Sequence, residues 1–305
     1  MNSTELELLK IIADMDGAPE GAYNIRANGS LDSRQVTENV DIRTKEDKSG
    51  IDIIIKSTAK GEKVHIPVII SETGLTELVY NDFYIADGAE VDIIAGCGIH
   101  KCGDGESRHD GIHTFYVGKN AKVTYTEKHF GAGDGTGGKN MNPTTVINIA
   151  EGGYMEMETT QIKGIDSTNR VTTAKLDKDA TLIIREKLMT HGTQRADTDF
   201  TVDLNGENSS ANVISRSVAR DNSYQLFVSK INGNNICSGH TECDAIIMDN
   251  AKVSAVPEIT ANHIDASLIH EAAIGKIAGE QLIKLMTLGL TEQEAEEQIV
   301  NGFLK

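Results

Sequence analysis

The sequence contains no tryptophan, and aromatic residues make up only 4% of its 305 residues. Few side chains are therefore available to stack the bases of single-stranded nucleic acids. Basic residues are also scarce: 29 Lys and Arg stand against 46 Asp and Glu, which gives a formal net charge of −17 at pH 7. This balance excludes nucleic acids and anionic membranes as expected partners, because phosphate binding needs clustered cations.

Long apolar runs are also lacking, since none approaches the roughly 18 to 20 residues that span a bilayer. The N-terminal "MNSTELELLK" is acidic and does not have the basic-then-apolar order of a signal peptide. We therefore expect a cytoplasmic protein with no membrane partner. The hydrophobic content of 39% and the charged content of 25% are typical of a globular chain.

Cysteine is infrequent, and its four copies form two close pairs, Cys97 with Cys102 and Cys237 with Cys243. Disulfide frameworks belong to small secreted chains rather than to cytoplasmic proteins of this length. We therefore expect free thiols or metal ligands at these positions.

The N-terminal stretch "STELELLKIIADMDGAP" predicts a helix. Thr4 and Glu7 have the spacing of a capping box, and Leu6, Leu9 and Ile12 would form its apolar face. From residue 50 the apolar residues alternate instead, as in "KVHIPVIIS", which indicates half-buried strands.

A loose repeat follows, in which two apolar alternations flank a turn and a small residue. It occurs as "DFYIADGAEVDII", "TFYVGKNAKVTYT", "INIAEGGYMEMET", "AKLDKDATLIIRE" and "IIMDNAKVSAV". The small residues are Ala89, Ala121, Gly153, Ala180 and Ala251. Stacked units of this kind favour a β-solenoid. The alternative is a β-sandwich or jelly roll, which also has evenly spaced short strands.

The chain ends in two predicted helices. In "KIAGEQLIKLMTLGL" one face carries Ile277, Leu282, Leu285 and Met286, and a second capping box, Thr291 with Glu294, opens the next helix. The apolar face of such a helical hairpin must rest on the β body, on another protein, or on both.

Three clusters hold candidate metal ligands. The first, "AGCGIHKCGDGESRHDGIH", contains Cys97, His100, Cys102, His109 and His113. Thiolate and imidazole bind zinc, copper and iron–sulfur centres. The spacing of the two cysteines is not that of a zinc finger, so ordinary loop and strand residues are the alternative.

The second cluster, "NNICSGHTECDAIIMD", contains Cys237, His240 and Cys243. The two cysteines are six residues apart, which is too far for one ion in an extended strand. A turn at Ser238 and Gly239 would bring them together. The alternative is that Cys243 is a small buried hydrophobic residue.

The third cluster is the adjacent pair His270 and Glu271. If neighbouring coils stack, Cys243, His270 and Glu271 could share one surface. The alternative for Glu271 is a carboxylate that stabilises the N-terminus of the following helix.

The C-terminal third, "ECDAIIMDNAKVSAVPEITANHIDASLIHEAAIGKIAGEQLIKLMTLGLTEQEAEEQIVNGF", resembles the SufB/SufD family of iron–sulfur cluster assembly proteins. The likeness continues upstream through "SRSVARDNS", "GIHTFYVGKNAKVTY" and "GCGIH". It implies a mainly β protein, a right-handed parallel β-helix with a short N-terminal helix and a C-terminal helical hairpin. The expected segments are residues 1–49 (helical or irregular), 50–270 (β-helix) and 271–305 (helical, docking an ATPase).

The resemblance also implies roles for individual residues. Cys243 matches the assembly-site cysteine, Glu271 the glutamate that accompanies it, and His270 a histidine position of SufD. Cys97 resembles a second cysteine, with a proposed part in sulfur delivery. Cys102, Cys237 and His240 depart from the general pattern. Cys102 and Cys237 remain candidate metal ligands, as members of a compact archaeal or anaerobic bacterial branch.

The implied function is that of a non-enzymatic scaffold that builds and transfers a transient cluster, expected to be [4Fe–4S]. Its expected partners are a SufC-like ABC-type ATPase, a second copy of itself, a sulfur donor and apo recipient proteins. No flavin-binding segment is evident, so no flavin is expected. Two alternatives stay open: a metal-free solenoid adaptor for the ATPase, and a metal-dependent hydrolase that uses Cys97, His109 and His113.

Overall fold

The computed structural model describes residues 1–15, 17, 19–101 and 103–305. The chain is mainly β, with 59% of its residues in strands, and forms a parallel β-solenoid of about eight turns. A short helix precedes the solenoid and further helices follow it. The repeat therefore predicted the architecture, and the sandwich or jelly-roll alternative is wrong.

The solenoid has two walls, each a ten-stranded sheet. The first wall runs in the order β2 (Ser30–Gln35), β1 (Ala22–Ala27), β5 (Lys60–Ile70), β7 (Glu90–His100), β9 (Lys122–Ala132), β12 (Tyr154–Lys163), β14 (Thr181–Thr190), β16 (Ser209–Ala219), β18 (Cys237–Ile247) and β20 (Ala266–Gly275). The second contains β3 (Val40–Thr44), β4 (Gly50–Ile55), β6 (Thr76–Ile85), β8 (Ser107–Val117), β10 (Lys139–Met141), β11 (Thr144–Ile149), β13 (Ser167–Leu176), β15 (Arg195–Leu204), β17 (Tyr224–Gly233) and β19 (Lys252–Ala261).

Alternate side chains of each strand point into the solenoid or out to solvent. We call these the inner face and the outer face. The inner faces of both walls meet in one continuous core that runs from Ala22 to Cys243. The small residues of the repeat are buried at its turns: Ala89, Ala121, Gly153, Ala180 and Ala251.

The turns themselves need left-handed backbone. Asn120, Asp179 and Asn208 occupy turns from the second wall to the first at φ of 54°, 56° and 61°, and Gly152 takes the same role in the turn between β11 and β12 at φ of 69°. Asn and Asp tolerate this region better than other residues with a Cβ atom. The Asp- and Asn-rich turns in the sequence are therefore what bends the chain from one wall to the other.

The N-terminal helix α1 spans Ser3–Ala13, but its capping box is formed by Asn2 and Glu5 rather than by Thr4 and Glu7. The helix is capped two residues earlier than predicted. Leu6, predicted on its apolar face, is exposed, whereas Leu8, Leu9 and Ile12 are buried. A Cβ atom at Gly96 would lie 2.5 Å from the Ile12 carbonyl oxygen. This glycine therefore allows α1 to pack directly on the first wall.

Helices α2 (Gly279–Met286) and α3 (Glu292–Phe303) follow the last coil. The predicted capping box of Thr291 and Glu294 is present at α3. Val300 and Leu304 pack with Val218 on the solenoid, whereas every side chain of α2 is exposed or half-buried. In the described part of the chain, no helix is long and apolar enough to cross a membrane.

Candidate functional site

Cys243 and His270 lie on the inner face of the last two strands of the first wall. Strands β18 and β20 are parallel neighbours, with Thr241 opposite His270 and Cys243 opposite Ala272. The imidazole Nδ1 of His270 is 2.5 Å from the hydroxyl of Thr241. Cys243 is thus one coil inside the C-terminal end of the solenoid, and His270 is on the coil that covers it.

Cys243 is a free thiol that is only 1% exposed. Burial, with smaller contributions from the negative charges of Glu186 and Asp244, raises its pKa to about 12. The group is therefore neutral at physiological pH. A bound cation that replaces the proton is what would make it a thiolate.

Glu271 points away from Cys243 and His270, because successive side chains of a strand face opposite sides. It lies on the outer face opposite Glu242, and its Oε2 is 3.5 Å from Nε2 of His240. One protomer therefore places Cys243 and His270 on the same inner face, two positions out of register on neighbouring strands, and Glu271 on the opposite face.

Cys237 begins strand β18 on the inner face and is also a free, buried thiol. The strand runs without a turn from Cys237 to Ile247, so the turn considered at Ser238 and Gly239 is absent. Six residues of extended chain separate Cys237 from Cys243 by about 20 Å. The two thiols cannot bind the same ion.

Cys97 lies on the inner face of β7, 3% exposed, and Cys102 falls outside the described residues. Burial, with the charges of Glu77 and Glu127, raises the pKa of Cys97 well above its usual value. A small internal cavity joins Cys97 to His109 and His113. Three residues of the first predicted cluster therefore line one cavity, and their role as metal ligands stays a prediction.

A row of buried polar side chains continues from that cavity along the solenoid axis. We call it the interior polar row: Asn81, His113, Tyr125, Glu127, Arg170, Glu186 and Ser215. The Tyr125 hydroxyl is 2.8 Å from His113 Nδ1 and donates to Glu127, whose other oxygen accepts from Arg170 at 2.6 Å.

The C-terminal end of the interior polar row is Ser215, which is the register partner of Cys243. Arg170 Nε lies 3.8 Å from Oε1 of Glu186, and Oε2 of the same carboxylate accepts a hydrogen bond from the Ser215 hydroxyl at 2.7 Å. Ser215 is directly opposite Cys243 on the adjacent strand. The interior polar row therefore connects the surroundings of Cys97 with those of Cys243.

The row contains charged groups of opposite sign. Burial opposes ionisation of Glu127, but the charges of His129 and Arg170 hold its pKa well below the usual range. Burial instead dominates at Glu186 and raises its pKa. Neither glutamate is among the residues predicted for the site, although "VTYTEKH" places Glu127 in phase with the buried Val123 and Tyr125. Polar residues in phase with a buried alternation were the available signal.

Comparison with known proteins gives one consistent result. Residues 76–303 match the family model described as "SUF system FeS cluster assembly, SufBD core domain". An iron-sulfur cluster assembly SufBD family protein of Archaeoglobus fulgidus is 33% identical over 249 residues, which are 80% of this chain and 66% of the relative.

Two further relatives carry the same description. The protein of Methanocaldococcus jannaschii is 31% identical over 260 residues, 83% of this chain and 79% of its own length. That of Methanothermobacter thermautotrophicus strain Delta H is 29% identical over 245 residues, 78% of this chain and 57% of its own length. The chain thus spans between about half and four fifths of these relatives.

Proposed function

Since the chain belongs to the SufBD family of iron–sulfur cluster assembly proteins, we propose that it is the scaffold on which a cluster is built and from which it is transferred. The observation that carries this proposal is the placement of a thiol and an imidazole, Cys243 and His270, on one inner face beside the open end of the solenoid. Both are ligands that iron–sulfur centres use.

The chemistry of the two groups fits a transient cargo. Cys243 must lose its proton when it binds iron, so iron binding is linked to pH and competes with reprotonation of the thiol. Burial, with the nearby His240 charge, lowers the pKa of His270, which keeps its imidazole neutral and able to bind metal. A set with few thiolates holds a [4Fe–4S] cluster less firmly than four cysteines would.

Access to Cys243 requires the last coil to move or to be completed by a partner. The inner face of that coil is uncovered: Ile259 on β19 and Ile274 on β20 are 43% and 38% exposed, although their register partners Ile231 and Ala245 are buried. We propose that a second copy of the chain covers this end as a homodimer. A twofold contact would bring Glu271 and His270 of both copies near the two Cys243 thiols.

The C-terminal helices are the proposed docking site of a SufC-like ABC-type ATPase. Helix α3 is fixed to the solenoid through Val300, whereas α2 leaves Ile283, Met286 and the following Leu288 exposed at 63%, 42% and 77%. Leu282 and Leu285 are half-buried on the same helix. ATP-driven movement of α2 would act on β20, which precedes it directly and carries His270.

Cys97 is the proposed point of sulfur entry. Its thiol lies at one end of the interior polar row and Cys243 at the other, and the row supplies hydrogen-bonding side chains between them. A sulfur donor would have to reach Cys97, and apo proteins would receive the cluster at the open end.

Anaerobic reconstitution with Fe²⁺ and sulfide tests the scaffold. The wild-type chain should gain broad visible absorption and transfer its cluster to an apo-ferredoxin. Cys243→Ser should abolish both, because a hydroxyl does not replace a thiolate towards iron. Cys237→Ser is the matched control, since it changes a buried thiol on the same face of the same strand, about 20 Å away.

Two outcomes would contradict the proposal. If Cys243→Ser forms as much cluster as the wild type, then Cys243 is not a ligand of the cluster. Absence of any cluster in the wild type, with retained ATPase binding, would support the alternative of a metal-free adaptor, which the nearly complete burial of Cys243 favours.

A further inference from the structure

A second group of potential metal ligands lies on the outer face of the wall that holds Cys243. His240 and Glu242 are successive outward side chains of β18, and Glu271 on β20 is directly opposite Glu242. The ligand atoms of the three side chains all lie within 4.8 Å of one another. A first-row metal about 2.1 Å from each ligand would need only small rotations of the carboxylates.

The imidazole of His240 is already oriented for such an ion. Its Nδ1 lies 3.0 Å from the side-chain oxygen of Asn212, its register partner on β16. Because that amide oxygen accepts the proton of Nδ1, Nε2 keeps its lone pair and faces Glu271 at 3.5 Å. Metal-binding histidines are typically held in this way by a hydrogen bond from the other ring nitrogen.

The negative charges of Glu242 and Glu271 also favour a cation at this position. Like charges directly opposite each other on neighbouring strands are destabilising, and here Glu242 faces Glu271 with Asp244 as the next outward residue. Arg216 is 3.9 Å from Glu242, which is at the limit of an ion pair. A divalent ion between Glu242 and Glu271 would replace this repulsion by attraction.

The donor set selects the class of ion. One imidazole and two carboxylates suit Fe²⁺, Mn²⁺ and Zn²⁺, whereas soft Cu⁺ prefers thiolates and Mg²⁺ and Ca²⁺ prefer oxygen ligands alone. His240 and Glu271 are 31% and 66% exposed at their side chains, so an ion can reach them from solvent.

We propose that His240, Glu242 and Glu271 form a site for a divalent first-row transition metal ion on the outer face of the last two coils. In an assembly scaffold the ion is ferrous iron, and this identity rests on the function proposed above. The site would hold Fe²⁺ one residue away from His270, whose ring faces the inner side of the same strand. Glu271 would then bind incoming iron first, before a cluster forms between the two copies.

Anaerobic titration of the full chain with Co²⁺ tests the site, because Co²⁺ bound to nitrogen and oxygen gives weak visible bands without the intense near-ultraviolet band of a cobalt thiolate. The wild type should bind one equivalent with the nitrogen–oxygen spectrum. Asn212→Ala should weaken this binding about tenfold. His240→Ala and Glu242→Gln should weaken it further, and His263→Ala, an exchange of another histidine on the last coil, should leave it unchanged.

Cys243→Ser separates this proposal from that of the scaffold. If the outer site exists, Co²⁺ binding persists in Cys243→Ser whether or not cluster assembly is lost. The outer site would be wrong if both His240→Ala and Glu242→Gln bind Co²⁺ as tightly as the wild type does. It would also be wrong if Cys243→Ser loses the nitrogen–oxygen spectrum. Either result would leave the scaffold proposal standing.

Discussion

The hydrophobic core is covered differently at the two ends of the solenoid. At the N-terminal end, the strands β2 and β3 pair antiparallel with their neighbours and close the two sheets, while α1 buries Ile12 against the first wall. At the C-terminal end, β19 and β20 are the last strands of their sheets, and their inward residues Ile259 and Ile274 remain partly exposed.

This difference has a physical meaning. Repeat proteins need terminal units that cover the hydrophobic core, and an open sheet edge exposes unpaired backbone groups to other chains. The N-terminal end meets this requirement within the chain. The C-terminal end, which holds Cys243 and His270, leaves part of its core uncovered in the described residues, so the candidate site lies beside an incompletely covered core.

Replacing one isoleucine at each end of the solenoid should give the largest difference in the free energy of unfolding. Ile12→Ala removes a fully buried side chain and should lower the free energy of unfolding by about 2–5 kcal/mol. Ile264→Ala, at a side chain that is 95% exposed, should change it by less than about 0.5 kcal/mol. Urea unfolding of the two variants measures the difference, and equal effects would mean that α1 does not cap the fold.

The interior between the two ends should be sensitive to pH at His113. Burial lowers its pKa from 6.5 to about 4, so the unfolded chain binds more protons than the folded one between these values. Stability should therefore fall as the pH drops, by about 2 kcal/mol between pH 7 and 5. His113→Gln, which does not titrate, should lose this part of the dependence in urea unfolding at both pH values, and an unchanged slope would show that His113 is accessible to protons when folded.

Two charge substitutions should distinguish the surfaces of the open end. Ile259→Asp should weaken self-association at least about tenfold, because it places a carboxylate on the uncovered core, but should leave ATPase binding intact. Leu285→Asp on α2 should weaken ATPase binding and leave self-association intact. Sedimentation measures the first effect and co-purification with the ATPase the second. If Ile259→Asp remains as dimeric as the wild type, another surface forms the dimer.

Much of the fold could be predicted from local sequence. Alternation of apolar residues, the turn asparagines such as Asn120, and the small Ala89 and Ala121 all report on their own strand or turn, so they indicated the repeat and its solenoid. The N-terminal cap was misplaced by two residues because Asn2, Ser3 and Thr4 can all accept a backbone hydrogen bond at a helix start.

The candidate site was less predictable. Cys243, His270 and Glu271 were singled out correctly as neighbours in adjacent coils, but strand parity divides them between the inner and outer faces. The partner of Glu271 is His240, which lies on the adjacent strand two residues from Glu242, the register partner of Glu271. The interior polar row escaped notice because Arg170 and Glu127, 43 residues apart, become partners only when the coils stack.

The sequence by itself determined the strands, the turns and the small residues that let the coils close, since these depend on backbone preferences and on period-two burial. Only the tertiary structure decided which side chains meet, because register between coils sets every contact across a wall. That register placed a neutral thiol beside an uncovered core and two glutamates opposite each other beside an oriented imidazole.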